Sequence, residues 1–208
     1  MILECFPVGP FQCNCTILGD EETREAIVVD PGGEPDRILA ALARHALRAT
    51  AILHTHAHLD HLGATQAVKD ATGAPVLLHG ADLFLYENVE MQARMLGLPP
   101  VAVPPLDAHL AHEQEIRFGG CPTLCLHTPG HTPGSVSFLL PDQGLLLSGD
   151  TLFLGSIGRT DLPGGSFEEI IESIHGRLLP LPDETRVIPG HGPATSIGQE
   201  KRINPFLG

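Results

Sequence analysis

Between residues 54 and 61 the chain reads His-Thr-His-Ala-His-Leu-Asp-His, four imidazoles and a carboxylate within eight positions, at the exit of the apolar run Ala51-Ile52-Leu53. The two imidazoles of an HxH pair on a strand or tight turn project to one side, and Asp60 and His61 add a carboxylate and a further imidazole about one helical turn on. As a solvated face, this cluster would crowd groups that repel one another once protonated. As a metal site it offers neutral imidazole and carboxylate, donors that suit zinc, iron or manganese, with no nearby thiolate of the structural-zinc type. Other apolar runs end in the same way: Asp30 follows Ala26–Val29, His131 follows Thr123–Leu126, Asp150 follows Leu145–Ser148 and His191 follows Arg186–Ile188. Each sits among turn formers, in DPGGE, TPGHTPGS, SGDT and PGHGP, so these side chains belong to loops at strand ends. His56, His58, Asp60, His61, His131, Asp150 and His191 exceed the needs of one catalytic ion, and their number suits two ions about 3.5–4 Å apart. The other seven histidines (His45, His54, His79, His109, His112, His127 and His175) are read as non-ligands, with His54 and His127 ending strands beside the motifs.

The elements that must position these groups are short apolar runs alternating with amphipathic segments. AIVVD (26–30), TAILH (50–54), TLCLH (123–127), GLLLS (144–148) and RVIP (186–189) have the length and content of buried strands. Helices are expected over Pro35–Leu47, from about His61 to Thr72 with Gly73 as its stop, from about Ala81 to Leu96, and after Ser166. There Ser166 and Glu169 form a capping-box pair ahead of Ile170, Ile171, Ile174 and Leu178. The proline-rich stretch from Pro99 to Pro105 reads as a stiff connection, too short to separate domains.

Composition narrows the partners. With 208 residues and 42% apolar content, one domain spanning 1–208 can build a real core. A formal charge of −13, from 25 acidic against 12 basic side chains, disfavours nucleic acid and anionic membrane surfaces. The opening MILECFPVGP lacks the basic start and apolar core of a secretory signal, and no stretch approaches the ~20 apolar residues of a membrane span. The cysteines Cys5, Cys13, Cys15, Cys121 and Cys125 are odd in number and form no CxxC pair, as reduced thiols in a cytoplasm would. Cys13 and Cys15 are read as small buried apolar residues.

THAHLDH followed in order by TPGHTPGS, SGDTLF and VIPGHGP resembles the metallo-β-lactamase superfamily, and within it the glyoxalase II-like hydrolases. The match is spread over nearly the whole chain and is specific for fold. It implies an α+β, four-layer αββα sandwich with the metals at one edge of the two sheets. It also implies His56, His58, His131 and Asp150 around one divalent ion and Asp60, His61, Asp150 and His191 around a second, Asp150 bridging. Zinc is the first expectation for both ions, with iron or manganese as alternatives. Asp30 matches the family's first motif, where the aspartate orients the site from behind and binds no metal. His61 directly after Asp60 is similar to glyoxalase II and differs from those β-lactamases with arginine there, so lactam hydrolysis is disfavoured.

The resemblance implies hydrolysis by a metal-bridging hydroxide, with Asp60 as the catalytic carboxylate that fixes its direction and no serine or cysteine nucleophile. A small thioester such as S-lactoylglutathione is the expected substrate. Arg159 falls where glyoxalase II has a lysine that meets the glutathione carboxylate, and could clamp a carboxylate or pair with Asp161. Two departures from glyoxalase II stand out: Asp161 replaces an aromatic residue, and the helical domain that supplies further glutathione contacts is missing after INPFLG. Two alternatives stand beside the hydrolase. GRTD (158–161) also resembles the persulfide dioxygenases, where one iron would be held by His56, His131 and Asp150, and a non-catalytic metal-binding module would keep the fold without turnover.

Overall fold

Along Ala26-Ile27-Val28-Val29 every side chain is buried, yet successive residues point to opposite sides of the strand, so the run must be covered on both faces. This requirement sets the architecture of the computed structural model, which describes residues 1–208. The first sheet contains β1 (Ile2–Val8), β2 (Cys13–Gly19), β3 (Glu25–Val29), β4 (Arg48–Leu53), β5 (Val76–His79) and β6 (Ala108–Leu110), in that spatial order. Between its strands run α1 (Pro35–Arg44), α2 (Leu59–Leu62), α3 (Thr65–Thr72), α4 (Leu83–Tyr86) and α5 (Val89–Met95). The second sheet has β7 (Glu115–Phe118), β8 (Cys121–His127), β9 (Val136–Leu140), β10 (Leu145–Gly149), β13 (Arg186–Pro189) and β14 (Thr195–Ser196), ordered β14-β13-β10-β9-β8-β7. A hairpin of β11 (Leu152–Phe153) and β12 (Ser156–Ile157), then α6 (Phe167–Ser173) and α7 (Ile197–Ile203), complete the chain.

The two faces of each sheet carry different cores. Ile27, Val29, Ala51 and Leu53 meet Phe118, Val136, Phe138 and Leu147 between the sheets. Ala26, Val28 and Ile52, one residue out of phase, pack under Ile38 and Leu42 of α1 and Val68 of α3. On the far side Leu126, Leu139, Leu146 and Val187 pack under Ile170 of α6, Ile174 beyond it and Ile197 of α7. The order is therefore helix, sheet, sheet, helix, the α+β sandwich expected. Phe138 is fully buried in the inter-sheet layer. Phe138→Ala is expected to lower the unfolding free energy by about 3–5 kcal/mol, read from denaturant midpoints.

Parallel pairing aligns the functional strand ends. In β3 and β4, Val29 lies beside Leu53, which brings Asp30 to the start of the histidine-rich loop. In β10 and β13, Gly149 lies beside Pro189, which brings Asp150 toward His191. The sheets are joined at this edge where the Val136 N–H donates to the Thr55 carbonyl at 2.8 Å.

Two expected helices are interrupted. The one placed over His61–Thr72 begins earlier, at Leu59, and divides into α2 and α3. At the break a Cβ on Gly63 would lie 2.4 Å from the Gly32 carbonyl oxygen, and the Ala64 N–H donates to Pro31, so the DPGG turn takes the place of a helical turn. The one placed over Ala81–Leu96 becomes a 3-10 turn at Gly80–Asp82, then α4 and α5, with the Asn88 side chain capping the Phe84 carbonyl at 2.7 Å. Ser166 caps α6 as expected, accepting from the Glu169 N–H. The proline-rich stretch packs on α4 and α5 through Val101 and Val103, and Tyr86 donates to the Pro104 carbonyl at 2.7 Å. All five cysteines are free, with Cys13 and Cys15 buried. No helix is long and apolar enough to cross a membrane.

Candidate metal centre

The structure brings His56, His58, Asp60, His61, His131, Asp150 and His191 together at one edge of the sandwich. Three overlapping groups, His56-His58-His131, His56-His61-Asp150 and Asp60-His61-His191, each place their donor atoms within 4.8 Å of one another. The first and third share no residue, and the middle group joins them.

Hydrogen bonds behind each ring decide which nitrogen faces inward. His131 Nδ1 donates to the Arg159 carbonyl at 2.8 Å, His191 Nδ1 to the Phe11 carbonyl at 3.0 Å, and His61 Nδ1 to Asp30 Oδ2 at 3.0 Å. His56 Nδ1 lies 3.1 Å from the Thr55 hydroxyl, which donates to Asp30 Oδ2 at 2.6 Å. In these four rings Nε2 is therefore left for the centre. His58 is turned the other way, with Nδ1 2.8 Å from His131 Nε2.

These donors fit metal ions. His131 Nε2 lies 3.2 Å from His56 Nε2, where the lone pairs of two neutral rings face one another, and His61 Nε2 lies 3.3 Å from His191 Nε2. Asp150 Oδ1 is buried with no hydrogen-bond partner, while its carboxylate stands 3.6 Å from both His61 and His131 and 3.7 Å from His191. A buried carboxylate oxygen without a donor is unfavourable unless a cation faces it. The backbone keeps this space open: a Cβ on Gly190 would lie 2.1 Å from Asp150 Oδ1.

Electrostatics divides the two groups. Burial, reinforced by neighbouring histidines, holds His56 well below its ordinary pKa and lowers His58 to about 3. Burial also lowers His131, against the opposing pull of Asp150. These three rings are neutral donors near neutral pH. His61 and His191 are pushed down by burial, but the facing Asp60 and Asp150 carboxylates help carry both above the ordinary value. Binding of an ion there must release protons. Asp30 and Asp60 sit below the carboxylate range because His61 and its neighbours outweigh burial.

Asp30 touches no shared donor space. It accepts the Thr55 N–H at 2.8 Å, the Thr55 hydroxyl and His61 Nδ1, and so stands behind His56 and His61. Its backbone is left-handed (φ 50°), which aspartate tolerates better than most residues. Arg159 is exposed and binds Asp161 bidentately, Nε to Oδ1 and Nη2 to Oδ2, both at 2.7 Å. Of its two expected arrangements, the structure shows this pairing.

Asp82 and Gln92 escaped the sequence reading. Both hold the histidine-rich loop: the Gln92 amide accepts from the Leu59 N–H and donates to the Ala57 carbonyl, each at 3.0 Å. Asp82 had a signal, since Val76–His79 is another apolar run followed by a carboxylate. Gln92 had none.

The chain is 42% identical to the hydroxyacylglutathione hydrolase GloC of Haemophilus influenzae, over 100% of this chain and 98% of that one. Among solved structures it is similar to the B3 metallo-beta-lactamase BLEG-1 (42% identity, TM-score 0.89, 99% of each chain). It is also similar to TTHA1623 in a di-iron-bound form (45% identity, TM-score 0.87, 97% of this chain and 98% of that one). ETHE1 from Myxococcus xanthus matches at 32% identity and TM-score 0.83, over 99% of this chain and 84% of that one. With the metallo-beta-lactamase superfamily matched over residues 8–191 and a metal-type donor set at the edge of an αββα sandwich, the chain belongs to that superfamily of metal-dependent hydrolases.

Proposed function

We propose that this protein is a dinuclear metal-dependent thioesterase acting on small acyl thiols of the S-lactoylglutathione kind. The observation that carries the reading is the pair of separate donor groups, His56-His58-His131 and Asp60-His61-His191, with the unsatisfied Asp150 carboxylate between them. The full-length likeness to a hydroxyacylglutathione hydrolase supports the substrate class. Two divalent ions, with zinc as the first expectation, would ionise a water near neutral pH and polarise the acyl carbonyl. The chain supplies position and charge. Asp60, with Oδ2 3.0 Å from His191 Nε2, fixes the direction from which the water attacks. No protein nucleophile is needed, and burial pushes the nearby Cys13 thiol up to about 12, out of use. A thiolate leaves readily, so little general-acid help is required. Arg159 receives a carboxylate of the thiol carrier by exchanging Asp161 for it, an exchange helped by the solvent around this exposed pair.

A second reading, persulfide dioxygenation on one iron, rests on GRTD (158–161), and the likeness to ETHE1 leans the same way. It leaves Asp60, His61 and His191 without a role as ligands. Elemental analysis with parallel assays separates the readings. Two ions per chain with turnover of S-lactoylglutathione is expected. One iron per chain with oxygen uptake on glutathione persulfide would replace the thioesterase by the dioxygenase, and bound metal without turnover on either would leave a binding module. The likeness to BLEG-1 makes a cephalosporin the control substrate, with no hydrolysis expected.

A further inference from the structure

Ala57 lies between two residues of the first donor group, His56 and His58, and Thr132 follows the third, His131. One side chain joins these two segments. Asp82, from the 3-10 turn Gly80–Asp82, is fully buried and accepts three hydrogen bonds. Its Oδ2 takes the Ala57 N–H at 3.0 Å and the Thr132 hydroxyl at 2.7 Å, and its Oδ1 takes the Gly134 N–H at 2.6 Å. The fit is close: a Cβ on Gly134 would stand 2.6 Å from Asp82 Cγ. The other donor group is held differently, His61 by Asp30 and His191 by the Phe11 carbonyl.

We propose that Asp82 is the positioning residue of the His56-His58-His131 group, setting the distance between the histidine-rich loop and the 128–135 turn and so governing the affinity of that group alone. The inference rests on the reading that each group holds its own ion. A carboxylate can accept from all three donors at once. Asparagine in its place turns one of its two acceptors into a donor facing donors, and the loops must separate. Loss of such a support behind metal ligands typically weakens binding by about 10–100-fold.

The test is calorimetric titration of metal-free protein with Zn2+, paired with the visible spectrum of the Co2+ form. Wild type is expected to take two ions, and Asp82→Asn to keep one at near wild-type affinity while the other weakens by about 10–100-fold. The cobalt bands of the weakened site should shift. If Asp82→Asn does not fold, Thr132→Val removes one of the three donors and keeps the carboxylate. It should show the same selective weakening on a smaller scale, and Thr132→Ser, which restores the hydroxyl, should recover wild-type titration. Unchanged affinities in the variants, or equal weakening of both ions, would overturn the proposal and leave the dinuclear reading standing. Fewer than two ions in wild type would overturn both.

Discussion

Asp150→Asn is expected to lower kcat/KM on a thioester by at least about 10³-fold while the far-ultraviolet circular dichroism stays that of wild type. Asparagine matches aspartate in size, so the change removes charge and leaves packing almost as it was. Asp150 faces His61, His131 and His191 at 3.6–3.7 Å and is the only carboxylate in the group that links the two others. Loss of its charge leaves Asp60 as the one carboxylate among the seven gathered donors. Two dications held chiefly by neutral imidazoles repel one another, and the variant should retain fewer than two ions per chain. Metal-assisted charge stabilisation is worth several kcal/mol, and about 4 kcal/mol corresponds to roughly 10³ in rate. Turnover within tenfold of wild type would show that Asp150 is dispensable and the dinuclear mechanism wrong.

Removal of metal should be the largest single loss of stability. Chelated protein is expected to unfold roughly 16–32 °C below the metal-loaded form: each of two ions at about 1,000 times its Kd adds about 4 kcal/mol, and each kcal/mol moves Tm by about 2–4 °C in a chain of this size. The structure gives the reason. Without cations, ring nitrogens of His56 and His131 oppose one another at 3.2 Å, those of His61 and His191 at 3.3 Å, and Asp150 Oδ1 is unsatisfied. Ions convert each of these unfavourable contacts into ligand bonds. A scanning calorimetry trace that is the same with and without chelator would contradict a site of this kind.

The sequence made the donors legible and left most of their supports hidden. Histidines and aspartates after apolar runs carry a signal because strand ends at a common edge must bring them together, and all seven meet there. Asp30 was legible for the same reason. Gln92 was not: it acts through an amide on backbone groups 33 and 35 residues away, and no local pattern records such a bond. Arg159 shows a different limit. Its spacing to Asp161 allowed both a pair and a substrate clamp, and only the fold of the loop displays the pair.

Helix interruptions escaped for a tertiary reason. The periodicity of His61–Thr72 is continuous, but Gly63 abuts the Gly32 carbonyl, and a helical hydrogen bond gives way to one with Pro31. The strand Val136–Leu140 is buried on both faces like Ala26–Val29, but Ser137 breaks its apolar run, so neither alternation nor a continuous run marks it.

By itself, the sequence determined which histidines and aspartates could serve as donors, because polar groups that end apolar strands meet at a shared edge, and its motifs carried the resemblance that implied the fold and its layers. Tertiary structure alone decided which nitrogen of each histidine faces inward, how the donors divide into two groups, and which buried side chains hold each group. Those features depend on hydrogen bonds between residues distant in the chain, and spacing along the chain does not encode distances in space.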